Sequence, residues 1–598
     1  MPVTTRPVIQ GRRGVVTAGH YLAAEAGLRM MHEGGNAIDA AAAMCFCVNL
    51  LEPQSNGIGG EVPTLIYSAR DKKAYAVSGM GFSPKGFNID WCRENGIDLI
   101  PGDGYLPACV PAVVDTWALA VSRFGTMTFS QVLRPAIELA EKGFPVYAGL
   151  HRALKASRKK FTEKYPSTGE VYIPRGRVPQ PGEMLRNPDW AGVLKTMCRA
   201  EKRSRGSRRA GIKAARDAFY KGSIAEKILR FIETPVEDAS GSAHAGLLSA
   251  EDMAAWRARV EKPVSVNYRG LTVNKCSSWT QGPVFCQQLA ILEGFDLAKM
   301  GHNSSRYIHT WIECAKLAFA DREAYYGDPD FDGPPFGTLL SKRYAAARRE
   351  MIGRRASKEM RPGRAGRGGG APECDLARVL IDNRRALRVR AREVKDLGLG
   401  HAHMGDTTHL DAVDAAGNMV AATPSGGWIG TSPVIRGLGF PLGTRGQMFY
   451  LNRERPNALE PRKRPRATLT PSLVTKRGRP WMVFGTPGGD CQDQWTLQFF
   501  LNHVDFGMDL AEAVDAPSFH SLHFPSSFYP RKGFPGRMVC EEGIPAKVVS
   551  ELRRRGHVVR RTGRWANGKV MGIRFDSARG VISGAASPKG QIGYAMGW

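Results

Sequence analysis

The segment HMGDTTHLDAVDAAGNMVAA places Thr407, Thr408 and His409 directly after Asp406 and ahead of an alternating apolar run. A threonine hydroxyl is a weak nucleophile until a base takes its proton. One chemical solution sets the threonine at a chain N-terminus, where its own α-amine is the base. That amine ordinarily titrates at about 7.7 to 8.0, well matched to general-base work near neutrality. Such a threonine must be exposed by cleavage of a precursor, and a flexible segment that ends just before a hairpin opening with threonine suits that event. Taken alone, the same threonine also reads as an ordinary β-former at the start of a strand.

Other residues carry weaker signals. Gly488 and Gly489 lie between the strand-like WMVFGT and the helical DCQDQWTLQFFLN. Backbone N–H groups at such a turn can point at a developing oxyanion, although glycine serves a plain tight turn equally well. His401, His403 and His409 lack a zinc spacing, and no HExxH occurs, so no metal is expected. The glycine-rich SNGIGG has neither GxGxxG nor GxxxxGK[ST] spacing, so neither a nucleotide loop nor any other cofactor site is expected.

The elements that must hold these residues are legible in outline. VVTAG reads as a strand, followed by the helices HYLAAEAGLRMMHEGG and AIDAAAAMCFCVNLL, with Asn36 as the N-cap of the second. THLDAVD and NMVAATPS flank the turn Asp414-Ala415-Ala416-Gly417 and read as a hairpin, and PRATLTPSLVTK and PWMVFGTPGG as further strands. The chain is expected to divide near residue 400 into a helix-rich and a strand-rich part. With 598 residues, it is too long for one simple core.

Charge sets further bounds. The net charge is +28, but it is concentrated: residues 199–216 hold eight basic residues against one acid, and residues 354–395 thirteen against five. Neither stretch contains Phe, Tyr or Trp, so nucleic acid is not expected as a partner and mobile, solvated insertions are expected, the second spanning 354–406. No run of 18 apolar residues occurs, which argues against a membrane span. The N-terminal MPVTTRPVIQGRRG does not read as a secretory signal, and the eleven cysteines include no CxxC pair. A cytoplasmic chain without a disulfide framework is expected.

Eight motifs in order, GGNAIDAAAA, SNGIGG, AFYKGSIAEKI, YRGLTV, ADREAYYGDPDF, DTTHLDAVDAAGN, KRPRATLTPSL and GTPGGD, resemble the γ-glutamyltransferase (glutathione hydrolase) family of N-terminal nucleophile hydrolases. The resemblance runs from about residue 15 to the C-terminus, apart from the two basic stretches. It implies an α+β fold of four layers, αββα, assembled from a large fragment 1–406 and an associated small fragment 407–598. It also implies autocatalytic cleavage between Asp406 and Thr407, with Thr407 as nucleophile. Ser425 falls where the family has a second hydroxyl supporting the nucleophile; on its own it also reads as a turn serine after Pro424. Register with the family favours the oxyanion role for Gly488 and Gly489.

The glutamyl-recognition set departs from the family pattern. Met80 stands at the position of an arginine, Ala467 and Thr468 replace two adjacent serines, and Gly427 replaces an asparagine. The acidic and amide cluster after the hairpin is replaced by GLGFPLGTRGQMFYL, where Arg445 suits either a substrate carboxylate or a structural ion pair. These departures resemble a side branch that includes oxamate amidohydrolase and glutaryl-type cephalosporin acylases. The expected activity is amide cleavage through an acyl-Thr407 intermediate on a small-molecule substrate. Its rival, based on the charge, is a non-catalytic binding protein that keeps the fold.

Overall fold

In the computed structural model, which describes residues 4–365, 406–589 and 592–598, two seven-stranded antiparallel sheets lie face to face. In chain order the strands are β1 (Ile9–Gly11), β2 (Gly14–Ala18), β3 (Thr64–Ser68), β4 (Lys73–Val77), β5 (Val260–Glu261), β6 (Val264–Tyr268) and β7 (Leu271–Lys275). After the basic stretch come β8 (Leu410–Asp414), β9 (Met419–Ala422), β10 (Ser472–Lys476), β11 (Arg479–Gly485), β12 (Met571–Asp576), β13 (Val581–Ala586) and β14 (Tyr594–Gly597). One sheet runs β1-β13-β12-β11-β10-β7-β6 and the other β14-β2-β8-β9-β3-β4-β5.

The period of two along each strand explains the layering. In β8, Leu410 and Ala412 pack towards helices, while Val413 joins Met419 and Ala421 in the apolar layer between the sheets. There they meet Leu473, Val483, Ile573 and Ile582 from the facing sheet. Helices α1 (Tyr21–His32) and α2 (Ala37–Leu51) cover the sheet that holds β8, and α3 (Val113–Phe124) and α4 (Phe129–Lys142) pack against α2. On the outer side of the other sheet lie α7 (Gly282–Leu292), α8 (Ser305–Tyr325) and α9 (Gln492–Val504). The order helix, sheet, sheet, helix is the four-layer α+β architecture that the resemblance implied.

Helix α2 shows why the sequence tolerates this packing. All fifteen of its residues are buried, and its alanines keep neighbouring elements close. Cys45 and Cys47 sit within it as small apolar groups. Asn36 caps it, accepting from the Ile38 and Asp39 N–H groups, and Asp39 reaches back to the Asn36 N–H in a reciprocal capping box. Asp39 also accepts from the backbone and hydroxyl of Thr126, tying α2 to the loop ahead of α4.

Both sheets draw strands from each side of residue 400: β8, β9 and β14 pair with β2 and β3. One expectation differs from the structure. The basic stretch 199–216 is not a mobile insertion. It forms the end of α5 (Pro188–Arg203) and most of α6 (Arg208–Tyr220), which bury Ile212, Ala215 and Phe219. Arg208 donates to the Val121, Ser122, Gly125 and Met127 carbonyls at the end of α3, and Arg216 pairs with buried Asp115 at 2.9 Å. These cations satisfy orphan carbonyls and a buried acid. The second stretch is packed where described: Arg361 reaches Glu313 at 3.1 Å and the Ala356 N–H donates to the Arg555 carbonyl. Its remainder, with His401 and His403, lies outside the described residues. Among the described residues, no helix is long and apolar enough to cross a membrane.

The cap at Asn36 gives a direct test. Asn36→Ala should lower stability by about 1 kcal/mol, and Asp39→Ala by more, because Asp39 serves both the helix and the Thr126 loop. Thermal melts of the two variants check the ranking; an Asp39 variant as stable as wild type would contradict it.

Candidate active site

The strand register builds the site. Thr407, His409, Asp411 and Val413 alternate with Thr408, Leu410 and Ala412, so the first set faces the space between the sheets and the second faces the helices. On the partner strand, the pairing of Leu410 with Ala422 continues outward to a bridge between Thr407 and Ser425. His409 Nδ1 meets Thr423 Oγ1 at 2.9 Å, its Nε2 meets Asp411 Oδ1 at 2.9 Å, and Thr17 Oγ1 donates to the other Asp411 oxygen. Both ring nitrogens of His409 are therefore taken. A Cβ at Gly485, in β11 of the facing sheet, would lie 2.2 to 2.6 Å from the His409 ring, so only glycine fits there.

Thr407 is buried, with Oγ1 3.1 Å from Ser425 Oγ. Ser425 Oγ also takes a hydrogen bond from Arg445 Nη2 at 2.7 Å and donates to the Asp406 carbonyl at 3.1 Å. A hydroxyl has one proton, and Ser425 gives its proton to the carbonyl, so the Thr407 hydroxyl must be the donor in the Thr407–Ser425 bond. Arg445 is fully buried and ion-paired with Glu61, and its guanidinium lies over the Trp428 ring at 4.7 Å. Burial raises the Glu61 carboxyl, and Arg445 draws it back. The Glu61 and Ser425 backbones exchange two hydrogen bonds of 2.9 Å, so the ion pair and the bridge hold each other in place.

After Ser425 the chain turns through Gly426 and Gly427, both left-handed with φ of 72° and 63°. A Cβ on Gly427 would meet Gly57 and Gly60 backbone at 3.1 to 3.2 Å, which accounts for glycine where the family pattern has a larger residue. The turn delivers Trp428, whose Nε1–H donates to the Asp406 carbonyl at 2.7 Å and to the Ser55 carbonyl at 2.9 Å. The Asp406 carboxylate pairs with Lys569 at 3.2 Å. On the helix side, Thr408 faces Glu52 at the C-terminal cap of α2. The Glu52 carboxyl is raised to about 7, chiefly by burial; the Thr408 hydroxyl and Lys569 oppose the shift, and Asp406 adds to it.

Asp406, Thr407, Ser425 and Arg445 thus converge. Gly488 and Gly489 lie close by through Phe528: a Cβ on Gly489 would sit 3.0 Å from that ring, which is 6.1 Å from Trp428. Trp428, Met448 and Phe528 form a small apolar wall. Met80 and Ala467 belong instead to the apolar layer between the sheets, and Thr468 Oγ1 is buried with no partner among the described residues. Sequence reasoning missed Glu52, Glu61, Trp428 and Lys569. Glu61 had a signal, an acid directly after the glycine-rich SNGIGG; Lys569, remote in sequence, had none.

Fold and site together define an N-terminal nucleophile hydrolase. A solved structure of LmbA2991HD is 40% identical, with a TM-score of 0.89 over 100% of both chains. The cephalosporin acylase from Bacillus halodurans is 28% identical, with a TM-score of 0.82 over 100% of this chain and 98% of that one. The glutathione hydrolase proenzyme of Pseudomonas sp. (strain A14) is 31% identical over 534 residues, 87% of this chain and 83% of that protein. The chain belongs to the gamma-glutamyltranspeptidase family, whose profile matches residues 23–597. It is an enzyme of that family.

Glu52 gives a pH test. Its carboxyl holds a proton more tightly in the folded protein than in the unfolded chain, so the stability it contributes is full below about pH 4.5 and is lost as pH rises through about 7. Wild type should lose melting temperature between pH 5 and 8 relative to Glu52→Gln, which cannot ionise. Parallel melting curves for the two proteins would exclude Glu52 as the source.

Proposed function

We propose that the chain is a self-processing threonine amidohydrolase. Cleavage between Asp406 and Thr407 divides it into residues 1–406 and 407–598 and frees the Thr407 α-amine to act as base. The Thr407 hydroxyl then attacks the carbonyl of an amide, forms an acyl-enzyme, and passes the acyl group to water or an amine. The observation that carries this reading is the buried Thr407 Oγ1, 3.1 Å from Ser425 Oγ, at the bond the family cuts. Ser425, held by Arg445, orients the nucleophile. Gly488 and Gly489, with φ of 133° and 54° at the turn between β11 and α9, supply backbone N–H groups to the oxyanion of turnover. The two fragments stay associated because each contributes strands to both sheets.

The substrate is a small molecule whose acyl group lacks the amino acid head of a γ-glutamyl donor. Met80 and Ala467 offer no charge to that head, and Thr468 keeps one hydroxyl. Arg445 is fully buried and paired with Glu61, so a substrate carboxylate would have to displace the Met448 sulfur, 3.8 Å from Nη1, to reach it. A glutaryl or oxamoyl amide fits this set, and the likeness to a cephalosporin acylase supports it. Tying Arg208, Arg216 and Arg361 into the fold supports a small-molecule partner over nucleic acid. Ten free cysteines among the described residues support a reducing, cytoplasmic setting.

Two experiments test this reading. On denaturing gels the wild type should resolve into two fragments, the smaller beginning at Thr407 by mass spectrometry. Thr407→Ala should persist as an uncut, inactive precursor, and Thr407→Ser should process slowly; cleavage of the alanine variant at this bond would refute the nucleophile.

Selectivity is the second test. Hydrogen bonds to charged groups are worth about 1.5 to 3 kcal/mol each, and Met80 and Ala467 forfeit two. The kcat/KM for γ-glutamyl anilides should therefore fall on the order of two to four decades below that of an enzyme with the full set. Glutaryl anilides should be the better substrates; a strong preference for the γ-glutamyl anilide would exclude the side-branch specificity.

A further inference from the structure

We propose that Trp428 is a catalytic residue of the self-cleavage reaction: its indole N–H, with the Ser425 hydroxyl, forms the oxyanion cradle for the Asp406 carbonyl. The inference rests on the reading that Thr407 attacks that carbonyl. Among the described residues, the hydrogen bonds to the Asp406 oxygen come from Trp428 Nε1 at 2.7 Å and Ser425 Oγ at 3.1 Å. The scissile carbonyl is thus held by two donors, with the Thr407 hydroxyl beside one of them. Among the described residues, neither the Gly488 nor the Gly489 N–H donates to that oxygen. The precursor therefore has an oxyanion cradle of its own, separate from the glycine pair assigned to turnover.

Both donors are prepared in advance. Trp428 is 1% exposed, and its ring is fixed by the Arg445 guanidinium above it and by Phe528. An indole nitrogen only donates, so its proton has two destinations here, the Ser55 and Asp406 carbonyls. As the Asp406 oxygen gains negative charge, its share of that forked bond strengthens at the expense of the neutral Ser55 carbonyl. The gain is thus specific to the transition state. The Arg445 contact polarises the Ser425 hydroxyl in the same direction.

The step balances without any co-reactant other than water. Thr407 Oγ1 forms a bond to the Asp406 carbonyl carbon, and the oxygen becomes an oxyanion held by Trp428 and Ser425. The C–N bond to Thr407 breaks, the hydroxyl proton ends on the departing nitrogen, and an ester links Asp406 to Thr407 Oγ1. Water then cleaves the ester, leaving a carboxylate on Asp406 and a free hydroxyl and amine on Thr407.

The test follows full-length precursor converting to two fragments, with wild type and Thr407→Ala as references. Trp428→Phe keeps an aromatic ring over Arg445 and removes the N–H; conversion should slow by about 100-fold, the usual effect of losing one oxyanion donor, at a near wild-type melting temperature. Conversion at the wild-type rate would overturn the proposal. If Trp428→Phe melts well below wild type, the benzothienyl analogue of tryptophan at position 428, which replaces the N–H with sulfur in the same shape, decides: slow conversion supports the donor role and wild-type conversion overturns it. An uncut wild type, or a Thr407→Ala variant cut at this bond, would instead refute the functional reading beneath it.

Discussion

The bridge between Thr407 and Ser425 is the contact on which the rest of the site depends. It is a matter of register: Leu410 and Ala412 must face the helices and Val413 the opposite sheet, and this fixes Thr407 and His409 on the inner face. A slip by one residue would bury Asp411 against helix α2 and present Thr408 in place of Thr407. Apolar residues far from any chemistry therefore choose which of two adjacent threonines is placed beside Ser425. The choice is reinforced on the outer face, where Thr408 is matched to Glu52.

The Glu61–Arg445 pair is the electrostatic counterpart of that register. Burying an unpaired charge is costly, and breaking a buried pair typically costs about 3 to 5 kcal/mol. The pair is coupled to the bridge because Glu61 exchanges backbone hydrogen bonds with Ser425 while its side chain holds the arginine that contacts Ser425 Oγ. Backbone and charge thus constrain one hydroxyl from opposite sides. The stacking of Arg445 on Trp428 carries the same constraint to the Asp406 carbonyl.

Much of this was legible in the sequence, for identifiable reasons. The β8–β9 hairpin, the Asn36 cap and the strands around PWMVFG follow from local alternation and turn chemistry, which a short window contains. The convergence of Asp406, Thr407, Ser425 and Arg445 depended on the ordered motifs rather than on any one of them. Glu52, Trp428 and Lys569 escaped because their relevance arises from contacts between distant segments, and nothing local to a tryptophan after two glycines announces its target. The stretch 199–216 misled for a complementary reason: composition reported its charge, whereas the helical spacing of Ile212, Ala215 and Phe219 governs its packing. Its arginines serve carbonyls and an acid that are remote in sequence.

The sharing of both sheets by strands from either side of residue 406 has a consequence for how the molecule can be made. An intact chain assembles both sheets in one unimolecular event, with β2 finding β8 and β3 finding β9 inside a single tether. With the tether cut as proposed, the same pairings would become an encounter between two separate polypeptides, each exposing unpaired strand edges and half of an apolar layer. Such pieces are prone to associate wrongly before they associate correctly. A processed molecule that is fully unfolded is then poorly placed to return, and its lifetime is set by how slowly it opens rather than by an equilibrium it can revisit. Under the proposed cleavage, the uncut form would be the folding template for its own product.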